Sequence, residues 1–259
     1  MSGAYEKVKA ARAKGRPTGM SYINEIFTSF IELHGDRRFA DDEAIVGGIA
    51  RIGNKPVTVI ATEKGSDIKE KVRRNFAAPN PEGYRKALRL MKQAEKFHRP
   101  VICFVDTAGA FCGIGAEERG QGQAIAENLS EMMTLKTPII SVLVGEGGSG
   151  GALALAVADQ VWIMENAIYS VISPEGCASI LWKDSKKVKE AADCMRLTAK
   201  DMQELGIVER VIPEEGRNLQ TIYLTMGDSI KRMIDELCVL PIDELLDNRY
   251  KRFRKFGAR

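Results

Sequence analysis

Histidine is almost missing from this chain: 259 residues hold only His34 and His98. His34 precedes Gly35-Asp36, where a structural role is expected. His98 falls in the last turn of a predicted helix, where a cation suits the dipole. A Ser-His-Asp triad therefore has no evident base. Paired cysteines are missing too. Cys103, Cys112, Cys177, Cys194 and Cys238 are odd in number, and no two stand at C-x-x-C spacing. That excludes a disulfide framework and a sequence-visible zinc finger, and reduced thiols are expected. No H-E-x-x-H or His/Cys cluster offers a metal site. Long apolar runs are lacking: the longest are PIISVLV at 138–144 and ALALAVA at 152–158, well short of the ~20 residues that span a bilayer. The opening MSGAYEKVKA has no apolar run, so no signal peptide is expected. A soluble, cytoplasmic protein follows as the expectation. Charge of one sign is not in excess either, with 38 Lys/Arg against 35 Asp/Glu. Nucleic acid is accordingly not an expected partner. Apolar residues at 44% and a net charge of only +3 exclude a disordered chain.

The ends differ from the middle. Residues 1–19 carry Lys7, Lys9, Arg12, Lys14 and Arg16 against Glu6 alone, which reads as a mobile or loosely docked arm. RYKRFRKFGAR at 249–259 has six Lys/Arg and no acid, and reads as a solvated or partner-contacting surface. No linker splits the region between, so one domain is expected over 1–259: the arm at 1–19, a ββα core at 20–215 and C-terminal helices at 216–259. Periodicity predicts helices over 20–34, 81–98, 116–135, 150–158 and 174–182. It predicts a hairpin from 44–53 and 56–65, strands at 100–106, 138–144 and 207–212, and a strand pair from 161–165 and 168–172. Hairpin, helix and buried strand in repetition suggest a layered α/β fold with stacked sheets.

Two glycine-rich turns, DTAGAFCGIGAEERGQG at 106–122 and GEGGSGGALALA at 145–156, each follow a buried strand and lead into a helix. Main-chain N–H groups at such a turn form an anion or oxyanion site. The alternative is a tight turn without a ligand. Gly145, Gly147 and Gly150 also match G-x-G-x-x-G, with Glu165 twenty residues after Gly145. The following helix is short and the motif lies far from the first strand, which argues against a dinucleotide site. Cys112 and Cys177 are candidate thiol nucleophiles, against the commoner case of inert cysteine. The stretch at 64–86, with Lys64, Lys69, Lys71, Arg73, Arg74, Arg85 and Lys86, is either a solvated loop or a loop that gathers acidic groups of a ligand.

From about Tyr22 onward the chain resembles the carboxyltransferase α subunits of bacterial acetyl-CoA carboxylase. HGDRRFADDEAIVGGIAR, KEKVRRNF, PEGYRKALRLM, GAEERGQG, GEGGSGGALA and YSVISPEGCASILWK carry the resemblance, in order. It implies an α/β, crotonase-like ββα superhelix with helical N- and C-terminal extensions. It implies transfer of a carboxyl group from carboxybiotin, held on a biotin carboxyl carrier protein, to acetyl-CoA. The product is malonyl-CoA, in the first committed step of fatty acid synthesis. The implied partner is a β subunit, in an α2β2 assembly that binds biotin carboxylase in the larger complex. Zinc is expected on that β subunit and no metal in this chain. Gly150 and Gly151 match the family's oxyanion glycines, and Gly147, Gly148, Gly109 and Ala110 are expected around the cofactor. A charge stabilised by backbone N–H groups needs no histidine. Two departures stand out. DTAGAFCG replaces the family's DTPGAYPG, so Ala108, Phe111 and Cys112 differ, and the N-terminal extension is short, which implies smaller partner contacts. Two other readings remain open at this stage. One is a stand-alone crotonase-type hydratase or isomerase using Glu117, Glu118 or Glu146. The other is a non-enzymatic assembly subunit.

Overall fold

The computed structural model describes residues 3–257. Its strands are β1 (Thr28–Glu32), β2 (Ile45–Ile52), β3 (Lys55–Thr62), β4 (Val101–Thr107), β5 (Ile139–Gly148), β6 (Gln160–Met164), β7 (Ile168–Ser170) and β8 (Arg210–Ile212). Gly53, at φ +56, lets β2 and β3 close the expected antiparallel hairpin. Every residue of β4 and β5 is buried, as unbroken apolar strands require when both sheet faces are covered. The order is β1-β2-β3-β4-β5-β6-β8, antiparallel up to β3 and parallel beyond it. This is an α/β fold on a mixed sheet.

The helices are α1 (Ala4–Ala11), α2 (Gly19–Ile26), α3 (Ile68–Arg73), α4 (Pro81–Lys96), α5 (Ile114–Glu118), α6 (Gln121–Thr134), α7 (Ser149–Leu153), α8 (Pro174–Trp182), α9 (Val188–Met195), α10 (Ala199–Glu204), α11 (Leu219–Cys238) and α12 (Ile242–Arg254). Pro81 at its start and Glu82 in its first turn open α4. Its buried Tyr84, Ala87, Leu90, Met91 and Ala94 join the core against β2 and β3.

Several expectations are corrected. The helix predicted over 20–34 stops at Ile26, and 28–32 become an edge strand on β2. Pairing with β2 outweighs a local helical pattern that a sequence window cannot distinguish. The helix predicted over 116–135 is cut in two at Gly120, which is left-handed at φ +81. The strands at 160–164 and 168–170 do not pair with each other. β6 pairs with Ile140–Leu143 and β7 with Glu146–Gly148, so both lie along the long strand β5. All eight strands therefore join one sheet instead of stacked ones.

The basic segments are not loose over their described parts. In α1, Val8 and Ala11 are buried against Ile168, Ala192 and Leu197. Arg12 pairs with Glu146 and Glu175, and Arg16 with Glu214. At the other end Arg249 is fully buried. Its nitrogens donate to Asp159 and to the carbonyls of Met132, Leu135 and Thr137. Arg252 donates to Glu209 and to Ile207 O. These arginines dock α12 on the core, where the sequence reading had a solvated or partner-facing surface.

Candidate active site

β4 and β5 end side by side, so the two glycine turns that follow them meet. Ala108 to Gly113 form the first turn, and Gly148 leads into α7 in the second. They pack main chain against main chain. A Cβ on Gly148 would lie 2.1 Å from Ala108 O, and one on Gly151 would lie 2.5 Å from Ala110 N. No side chain fits at either position. The first turn is braced internally by Thr107, whose Oγ1 accepts from Gly109 N at 3.0 Å.

Ser149 makes the corner at φ +53, a left-handed conformation uncommon outside glycine. Gly150 and Gly151 are then the second and third residues of α7. N–H groups at those positions have no intrahelical acceptor. Among the described residues neither donates to any other recorded protein acceptor. At five residues α7 is much shorter than the helix predicted over 150–158. Any electrostatic effect thus comes from the two individual N–H groups, with little from a helix dipole. Tyr84 supports them from below, its hydroxyl donating to Gly151 O at 3.2 Å. Burial pushes the Tyr84 phenol well above its ordinary value, so it stays a neutral donor.

Gly150 opens onto a cleft of about 650 Å³, lined chiefly by apolar groups including Leu153, Tyr169, Met202, Ile207 and Phe253. Burial raises the Tyr169 phenol to about 12. The cleft can hold an apolar ring while the amides meet an anionic oxygen.

The structure thus brings Gly109 and Ala110 against Gly151, packs Gly148 on Ala108, sets Gly147 against the Tyr169 ring and leaves Gly150 at the cleft. It does not bring the candidate carboxylates together. Glu117 and Glu118 are exposed on α5, and Glu146 is held by Arg12 at 2.7 Å and Lys64 at 3.7 Å. Glu165 is not poised for a ribose, because it accepts the N–H groups of Glu214 and Glu215. Cys112 is exposed in the first turn and Cys177 is buried in α8. In the basic stretch 64–86 three residues, Lys64, Arg85 and Lys86, are tied inward, while Lys69 and the Arg73–Glu43 pair are exposed. Lys64 pairs with Asp106, Arg73 with Glu43, Arg85 with Asp36, and the fully buried Lys86 with Asp41. His34 bonds Asp41 on the surface. Among the described residues no group of three His, Cys, Asp or Glu is placed to hold a metal, and no helix is long and apolar enough to cross a membrane. Sequence reasoning missed Tyr84, Ser149, Tyr169 and the Arg12 and Lys64 contacts to Glu146. Each depends on long-range packing that no local motif announces.

Residues 3–257 match the family described as acetyl co-enzyme A carboxylase carboxyltransferase-like. The acetyl-coenzyme A carboxylase carboxyl transferase subunit alpha of Ruminiclostridium cellulolyticum is 62% identical over 254 residues, covering 98% of each chain. The chain belongs to the acetyl-CoA carboxylase carboxyltransferase α subunits. An α subunit implies a β partner. In Natranaerobius thermophilus a fused β/α carboxyl transferase is 58% identical over 257 residues, which is 98% of this α subunit and 42% of the fusion. Solved structures share the α subunit's fold. The 12S transcarboxylase superposes at TM-score 0.70 with 18% identity, over 88% of this chain and 44% of that one. A Pseudomonas malonate decarboxylase hetero-tetramer superposes at 0.64 with 17% identity, over 84% and 89%. The α subunit thus has an α/β fold on a mixed sheet similar to that of these two proteins.

Proposed function

We propose that this α subunit supplies the biotin-side half of a carboxyltransferase site. The reaction moves a carboxyl group from carboxybiotin, on a biotin carboxyl carrier protein, to acetyl-CoA and gives malonyl-CoA for fatty acid synthesis. The observation that carries the reading is the pair of consecutive unpartnered amides at Gly150, which lines an apolar cleft, and at Gly151, buried next to it. Carboxybiotin supplies the carboxyl group, and negative charge gathers on its ureido oxygen as that group leaves. The amides of Gly150 and Gly151 hold that charge without titrating. Gly147, Gly148, Gly109 and Ala110 form the wall that keeps the two amides in place. Tyr169 and Leu153 present apolar surface to the ring system and exclude water. The acyl-CoA and any zinc belong to the β subunit in an α2β2 assembly, with biotin carboxylase in the larger complex and the cytoplasm as its location.

A stand-alone hydratase needs a free carboxylate in the cleft, and Glu146 is bonded elsewhere. The purified single chain is therefore expected to give no turnover of enoyl-CoA. Gly150 offers the direct test of the oxyanion role. Proline there removes one N–H and also disfavours the left-handed corner of Ser149 just before it, whereas alanine keeps the donor. In the complex with β, Gly150→Pro should lower kcat about 100- to 1,000-fold, while Gly150→Ala stays within about tenfold. Equal rates for the two variants, with assembly intact, would sink the role.

A further inference from the structure

The ladder between β4 and β5 pairs Val105 with Leu143 and then Thr107 with Gly147. One strand advances two residues while the other advances four. Val144 to Glu146 therefore leave the ladder, and their main-chain groups need other partners. Side chains provide two of them. Arg16 Nε donates to Val144 O at 2.7 Å, and Glu146 N donates to Asp106 Oδ1 at 2.8 Å. Asp106 is itself fixed on two sides. Its own N–H donates to Thr62 Oγ1 at 2.6 Å, and its Oδ1 also accepts from Lys64 Nζ at 2.6 Å. The carboxylate is only 4% exposed. It stands where a side chain of residue 145 would be, since a Cβ on Gly145 would lie 2.3 Å from Oδ1.

We infer that Asp106, clamped by Lys64, is a positioning residue for the Gly147–Gly151 turn. It sets the point at which β5 rejoins the ladder, and so the direction in which the amides of Gly150 and Gly151 face. The inference rests on the oxyanion reading above. Asp106 does not line the 650 Å³ cleft. It borders a separate polar pocket of about 280 Å³ together with Arg16, Lys64 and Ser66. It therefore acts through the backbone of residue 146 and not on substrate. If this buried ion pair served stability alone, breaking it would lower the melting point and leave the turn and the rate untouched.

The test uses the α subunit assembled with its β partner. Transfer is read in reverse with malonyl-CoA and biocytin, alongside amide hydrogen exchange across 144–151. Asp106→Ala should lower kcat on the order of 100-fold, as a misplacement near 1 Å does, with KM for malonyl-CoA within about twofold. Exchange across 144–151 should quicken while β3 keeps its protection. Asp106→Asn keeps an acceptor for Glu146 N and should recover rate to within about tenfold of the parent. Unchanged exchange in Asp106→Ala overturns the positioning role, whatever the rate does. Faster exchange with an unchanged rate supports the positioning role and overturns the oxyanion reading, so the two failures are separable. If Asp106→Ala does not assemble, Lys64→Met carries the test, with the same changes expected at smaller size. Parental exchange and rate in Lys64→Met would overturn the clamp.

Discussion

At residue 150 there is room for a methyl group, and at residue 151 there is none. A Cβ on Gly150 would meet only Ile125, at 3.6 Å, whereas one on Gly151 would press on Ala110 N, Gly109 C and the Tyr84 hydroxyl. Gly151→Ala should therefore cost about 1–3 kcal/mol of stability by prising the turns apart. Gly150→Ala should change stability by less than about 1 kcal/mol, with alanine's helix preference in its favour. Urea denaturation of the two variants against the parent checks the contrast, and equal costs would contradict it. The two turns were legible in the sequence because glycine clusters after apolar runs are local signals. Which glycine is obligatory was not legible. That depends on a second turn some 40 residues away (Ala108 to Gly148), and no window holds both. The same holds for Asp106: its motif DTAG marks the turn, but its grip on Glu146 exists only once β4 and β5 are paired.

Among the elements, α12 depends on one side chain. Arg249 has no exposed surface and ties the helix to Asp159 and three carbonyls. Arg249→Leu leaves Asp159 with its Arg249 bonds broken, and removing one partner of a buried pair costs about 3–5 kcal/mol. Limited proteolysis should then cut within 242–254 well before the rest of the chain. Parental resistance would show that apolar contacts hold α12 without the arginine. The sequence read this stretch as surface because arginine is seldom fully buried. Elements defined by their own periodicity or turn chemistry were read correctly, such as α4 and the β2–β3 hairpin. Those defined by a distant partner were not. β1 needs β2 to be a strand, and β6 and β7 take their places from successive halves of β5.

On the scale of the whole molecule, acid is the predictable weakness. Burial acts to raise Asp41, but Lys86, the Gly35 N–H and His34 outweigh it and hold its carboxyl well below the usual range. Burial likewise opposes Asp36, where the Phe39 and Arg38 N–H groups and Arg85 prevail and lower it. Groups depressed on folding contribute stability above their unfolded pKa, near 4, and lose it as pH falls through the folded value. Asp42 runs the other way, raised by its burial, and offsets part of the effect. Stability should still fall as pH drops below about 4. Asp41→Asn should destabilise more at pH 7 than at pH 3, where the unfolded chain's carboxyl is largely protonated while the folded Asp41 is still ionised and part of its advantage is lost, and chemical denaturation at the two values checks this. An equal loss at both would exclude an electrostatic origin. The docking of α1 has a further consequence, for the order of events on the ribosome. Arg12 bonds Glu146, and Arg16 bonds Glu214, 134 and 198 positions later. At ordinary rates of synthesis Glu146 follows Arg12 by about 7–27 s and Glu214 follows Arg16 by about 10–40 s. Helix α1 therefore emerges well before its partners and is among the last of the described helices to settle. Val8 and Ala11 must wait uncovered through most of translation, and the braced turn at 144–146 is complete only after they dock.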